Sequence, residues 1–183
     1  MNRLLTVFAG CLFLTACAGP QINALGPSMS EIQAMPLKEA QTHLAGRTVM
    51  TFIERHREYQ DSSDALGYYK WVDGPGTQVE FLAEDGRWFL WSPEGTELAS
   101  GEWVLRSWYN DRYYICFSPS GAFNNVLARH AQEDEFKCVL LAEYAGQVVE
   151  ARRGDAFELA SGRLPFELSA EPATIDSLLK RSE

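Results

Sequence analysis

Thiols are the most pointed chemistry in this chain. Of four cysteines, two fall within the first seventeen residues and two, Cys116 and Cys138, in the body. The second pair lies in apolar, strand-like settings, Tyr113-Tyr114-Ile115-Cys116-Phe117 and Phe136-Lys137-Cys138-Val139-Leu140. Two such thiols in an oxidising compartment read as one structural disulfide. A redox couple or a zinc site would call for Cys-x-x-Cys or for histidines at zinc spacing, and neither occurs. The histidines His43, His56 and His130 stand in polar stretches without a local metal motif, which fits solvated or capping roles. Glu133-Asp134-Glu135 lacks the alternating oxygen ligands and the glycine of a calcium loop, so it reads as a solvated loop. There is no G-x-S-x-G elbow and no glycine-rich phosphate loop. The residue types predict no enzyme, no cofactor and no metal centre.

Cys17 has a different setting. Arg3 supplies a short positive start, residues 4–13 an apolar stretch too short to span a bilayer, and Leu14-Thr15-Ala16-Cys17 a small-residue site ending in cysteine. These seventeen residues resemble the signal and lipobox of bacterial lipoproteins. The resemblance implies diacylation of the Cys17 thiol, cleavage just before it, and a lipid anchor in the membrane. Each buried methylene contributes about 0.8 kcal/mol, and two or more acyl chains hold where a single one binds marginally. Ala18 stands where an aspartate would retain a lipoprotein in the inner membrane. The resemblance therefore implies a periplasm-facing protein, on the outer membrane in preference to the inner.

Composition narrows the partners. With 25 acidic against 16 basic residues the net charge is −9, and removing residues 1–16 makes it one unit more negative by taking away Arg3. An acidic surface repels phosphate backbones and anionic headgroups, so nucleic acid is excluded as a partner and the membrane is reached through the lipid alone. The remaining partners are another envelope protein or an apolar small molecule. A mature chain of about 165 residues is one domain by its length, and its hydrophobic content of 46% can fill a core.

The elements follow from punctuation and period. Residues 1–16 are the signal, and 17–35 (CAGPQINALGPSMSEIQAM) read as a lipidated flexible tether. The β-rich globular domain then spans 36–170 and a C-terminal tail 171–183. Pro36 opens a short helix with Leu37, Ala40 and Leu44 on one face and Gly46 at its stop. From Arg47 the period becomes twofold, and residues 56–76 are ambiguous, with loop signals at Asp61-Ser62-Ser63-Asp64 and Asp73-Gly74-Pro75-Gly76 around a short strand at 68–72. Segments 77–83 and 87–92 flank Glu84-Asp85-Gly86 as a hairpin. Strands at 97–108, 113–118, 136–144 and 147–152 complete the pattern, and 174–180 either forms a turn or two of helix capped by Thr174 or frays. The predicted fold is mainly β, a small antiparallel meander forming a barrel or sandwich with a short N-terminal helix.

The aromatic residues raise the ligand question. In Arg87-Trp88-Phe89-Leu90-Trp91 both faces of one strand are apolar, Trp88 and Leu90 on one and Phe89 and Trp91 on the other, with Trp103 further on. Either the N-terminal helix and the tail cover the second face, or Trp88, Phe89, Trp91 and Trp103 line a site for an apolar or stacking ligand.

The succession Glu84-Asp85-Gly86-Arg87, Leu90-Trp91-Ser92-Pro93, Gly101-Glu102-Trp103-Val104, Ile115-Cys116-Phe117, Cys138 and Gly154-Asp155-Ala156-Phe157 resembles a group of small secreted alphaproteobacterial proteins of unknown function. The resemblance spans roughly residues 45–165. It implies a β-rich fold and a disulfide and carries over no site. Gly101-x-Trp103 is also similar to the G-x-W of lipocalins, although there the motif stands on the first barrel strand. The leading functional expectation is a non-catalytic binding or structural module of the cell envelope. The alternatives are a small carrier with a lipocalin-like aromatic interior and a hydrolase of envelope polymers built on His56 or His130 beside a carboxylate.

Overall fold

The computed structural model describes residues 25–60, 68–108, 110–118, 132–133 and 136–182. Its elements run α1 (Met29–Ala34), α2 (Leu37–Leu44), β1 (Arg47–Gln60), β2 (Tyr68–Leu82), β3 (Arg87–Trp91), β4 (Ala99–Trp108), β5 (Arg112–Ser118), β6 (Gln132–Glu133), β7 (Phe136–Leu140), α3 (Leu141–Gln147), β8 (Val148–Arg153) and α4 (Ile175–Ser182). The strands form one antiparallel sheet in the order β6-β7-β5-β4-β3-β2-β1-β8. The protein is mainly β, and the sheet is open. Of the two architectures the sequence allowed, a barrel closed by hydrogen bonds is not the one formed.

Continuity of the chain nevertheless forces the sheet to curl. β7 and β8 are six strand spacings apart, about 29 Å if the sheet were flat, whereas the seven-residue helix α3 that joins them spans only about 10 Å. The two ends of the sheet therefore approach each other, and α3, packed against β5, β7 and β1, fills the seam between them. Its face follows a helical period: Leu141, Tyr144, Ala145 and Val148 are all buried. That spacing corrects the strand expected at 136–144, which stops at Leu140 because packing across the seam rewards the i, i+3, i+4, i+7 pattern over the twofold one.

Two further expectations change. Residues 25–35 are not a tether: Leu25 and Ile32 are buried and α1 carries a capping box, with Ser28 Oγ accepting from Glu31 N and Glu31 Oε2 accepting from Ser28 N. The part of the tether before residue 25, like Cys17, lies outside the described residues. Asp73-Gly74-Pro75-Gly76 is a bulge inside β2, not a loop, since pairing steps from Ile53↔Gly76 to Arg55↔Asp73. Gly76 sits at φ +76° against the backbone of Ala170, which a side chain would obstruct. The helix at 36–45 and the hairpin around Gly86 form as the sequence predicts.

The core has two layers. On one face of the sheet Val49, Leu82, Trp88, Leu90, Trp103, Ile115 and Phe117 pack with α1, α2 and α3. On the other, Met50, Val79, Phe81, Phe89 and Trp91 are covered by Phe157, Leu159, Leu168 and α4. The tail is thus a structural layer. α4 is capped at its start by Thr174 Oγ1, which accepts from Ser177 N, and is tied to β8 by Ile175 N donating to Glu150 and by Arg152 to Asp176 at 2.6 Å. A third cluster surrounds the disulfide, which joins Cys116 and Cys138 at directly paired positions of β5 and β7. Among the described residues no helix is long and apolar enough to cross a membrane.

Candidate functional site

The aromatic residues singled out by the sequence are all interior. Trp88, Phe89, Trp91 and Trp103 are buried, and the alternation of β3 sends Trp88 and Leu90 into the helix-covered layer and Phe89 and Trp91 into the tail-covered one. Each indole N–H is satisfied inside the fold. Trp91 Nε1 donates to Phe166 O (3.1 Å), Trp103 Nε1 to Ala83 O (3.0 Å), and Trp88 Nε1 to the carboxylate of Glu80 (3.0 Å). Trp91 is held edge-on by Phe157 and Phe166, at ring-centre distances of 5.4 and 4.8 Å, and Arg181 lies over Phe166. The segment after β8 therefore holds Trp91 through Phe157 and through both the ring and the carbonyl of Phe166.

Glu80 is the residue that sequence reasoning missed. It lies near the C-terminal end of β2, opposite Val49 of β1 and Leu90 of β3, and only 2% of it is exposed. A carboxylate removed from water favours its neutral form, and burial pushes the Glu80 carboxyl from its ordinary 4.5 up to about 7. The Trp88 N–H and the neighbouring Tyr144 hydroxyl, which favour the anion, offset part of that rise. Tyr144 in turn is pushed well above its ordinary value by burial first and by the Glu80 charge second. Phe117 bridges the two, 5.1 Å from the Trp88 ring and 6.0 Å from the Tyr144 ring. A proton-binding group in the centre of an apolar layer is the arrangement with the clearest chemistry in this molecule.

The other candidate residues do not gather around it. His43 is half-buried on α2, where its Nε2 meets Leu25 O at 2.9 Å and its carbonyl accepts from Arg47, a capping role. His56 lies half-buried on β1, and His130 is outside the described residues. Among the described residues no three His, Cys, Asp or Glu side chains are grouped to hold a metal ion. Open grooves mark the surface of the described residues. One of about 580 Å³ is lined by Leu37, Lys38, Gln41, Ala45, Glu84 and an edge of Trp103, and one of about 410 Å³ by residues 156–165 and Ser182. Trp88, Phe89 and Trp91 line neither. Compared with family models, curated proteins and solved structures, the chain matches none.

Proposed function

We propose that this protein is a lipid-anchored module of the cell envelope, facing the periplasm, that acts without catalysis by binding another envelope protein through its outer surface. The observation that carries this reading is the burial of the aromatic cluster. With Trp88, Phe89, Trp91 and Trp103 all engaged in core packing, their large apolar area stabilises the fold, and recognition is left to the exterior. The first seventeen residues support the anchor through their resemblance to a lipobox, and a disulfide suits an oxidising compartment.

The paired strands β1 and β2 support an outer binding surface. They continue past their neighbours, since β2 pairs with β3 only at residues 79–82 and β1 with β8 only at 48–51, and this ribbon carries Trp71 with 51% of its area exposed. A carrier of an apolar molecule is the second reading, favoured by the groove beside Trp103, whose volume is within the range of small-ligand sites.

Mass spectrometry of the mature N-terminus is the decisive experiment for the anchor. Acyl groups on Cys17 are the expected result, and Cys17→Ser should release the protein from membranes or leave an uncleaved precursor. A mature N-terminus without acyl groups ends the lipoprotein reading. Tryptophan fluorescence that changes on titration with lipids, and loses that change in a Trp103→Phe variant, would replace the interaction module with the carrier.

A further inference from the structure

The sheet face beneath α3 holds more polar groups than its hydrogen bonds account for. Glu80 accepts from Trp88 Nε1 and meets the Tyr144 hydroxyl of α3, while Thr51 Oγ1 of β1 and Gln147 Oε1 of α3 are buried without a hydrogen-bond partner among the described residues. Register puts Thr51 on the side of Glu80: it is two residues from Val49, the partner of Glu80, and pairs with Val148, the first residue after α3. Among the described residues no cation faces the carboxyl from the elements packed around it. Glu143 of α3 is exposed, Arg47 of β1 donates to His43 O, Arg87 of β3 pairs with Asp85, and Glu150 of β8 accepts from Ile175. The titratable group in contact is Tyr144.

Ionising Glu80 in this setting places an unneutralised charge in an apolar layer, which is strongly unfavourable unless water reaches it. The element whose movement would admit water is α3. It is short, lacks a side-chain cap at Leu140, and closes the seam between β7, beside the β6 edge of the sheet, and the opposite edge strand β8. We propose that Glu80 and α3 form a proton-operated latch: the neutral carboxylic acid keeps α3 seated across the seam, and loss of the proton to solvent lifts α3 and opens the Trp88 side of the core. The device does not depend on whether Cys17 is acylated.

The direction follows from linkage. With the closed-state carboxyl at about 7 and a water-exposed one at its ordinary 4.5, the closed form binds more protons between these values, so opening increases with pH across that window and levels off above it. Hydrogen exchange on the full chain, corrected for the chemical exchange rate, reads this directly from the α3 amides at residues 141–147. Their opening constant should rise on the order of 50-fold between pH 5 and pH 8, while the amides of β3 and β4 stay protected. Glu80→Gln should remove the rise and hold α3 closed at pH 8. Tyr144→Phe keeps the ring and loses a group that favours the anion, so it should move the transition to higher pH. The latch is overturned if α3 exchanges with the same opening free energy as β3 and β4 at every pH, if the wild-type profile is flat, or if Glu80→Gln retains the rise. Should Glu80→Gln not fold, a Tyr144→Phe transition that is unmoved or shifted to lower pH overturns it as well.

Discussion

The two faces of the sheet bury similar aromatic residues by opposite means. The tail-covered face is apolar where it counts. Its tryptophan, Trp91, gives its N–H to a backbone carbonyl, and Thr77 anchors the tail by donating from its backbone N to Ala170 O and from its hydroxyl to Glu171 O. The helix-covered face also buries a tryptophan completely, yet Trp88 donates to a carboxylate that the Tyr144 hydroxyl also meets, and Thr51 Oγ1 is buried there without a partner among the described residues. A backbone acceptor does not titrate and a carboxyl does. The hydrogen bond that holds Trp91 therefore does not change with pH, whereas the Trp88 side gains or loses stability with the proton on Glu80.

Truncating the two tryptophans tests this contrast with the largest effect. Trp88→Ala and Trp91→Ala should each destabilise the fold by about 3–5 kcal/mol, measured by denaturant unfolding. Their pH behaviour should differ. Trp88→Ala removes a donor that favours the Glu80 anion, so its penalty should be greater at pH 8 than at pH 5, whereas that of Trp91→Ala should be the same at both. Equal pH profiles for the two variants would erase the distinction between the faces.

The next effect belongs to Glu80 itself. A carboxyl raised on folding means that the native state holds the proton more tightly, so stability is highest below about 4.5 and declines as pH rises to about 7. The decline should be about 3 kcal/mol, seen as the difference between wild-type and Glu80→Gln unfolding curves across that range. Of comparable size, about 3 kcal/mol on the chain-entropy model, is the loss expected on replacing Cys116 and Cys138 together by serine, since the bond closes a loop of 22 residues. That loss should not vary with pH, because the cluster around the disulfide belongs to neither titrating group. Smallest is Trp71→Ala on the exposed ribbon, which should change stability by no more than about 0.5 kcal/mol. A larger loss would make the ribbon part of the core and not a surface for a partner.

Much of the fold was legible in residue order. The short helix at 36–45 follows from Pro36, the Leu37, Ala40 and Leu44 stripe and the stop at Gly46, and the hairpin around Gly86 from a residue that accepts positive φ. The disulfide was legible from two apolar strand contexts. α3 was readable as well, since the spacing of Leu141, Tyr144, Ala145 and Val148 is helical, but the short apolar run from 136 to 144 suits a strand equally until something packs on one side of it. Residues 25–35 misled for a similar reason. Small and polar in bulk, they carry one capping box and two anchors, Leu25 and Ile32, whose worth depends on the core they enter.

The central carboxyl was beyond reach. In Gln78-Val79-Glu80-Phe81 the alternation marks Val79 and Phe81 as the buried side and Gln78 and Glu80 as the solvent side, which is the correct inference for a strand covered on one face. The sequence by itself determined which residues alternate, where the chain turns, which thiols meet, and that β3 is apolar on both faces. Only the tertiary structure decided what lies over each face, because the curl of the sheet brings β7 within one short helix of β8, and that helix buries a position which local pattern assigns to water.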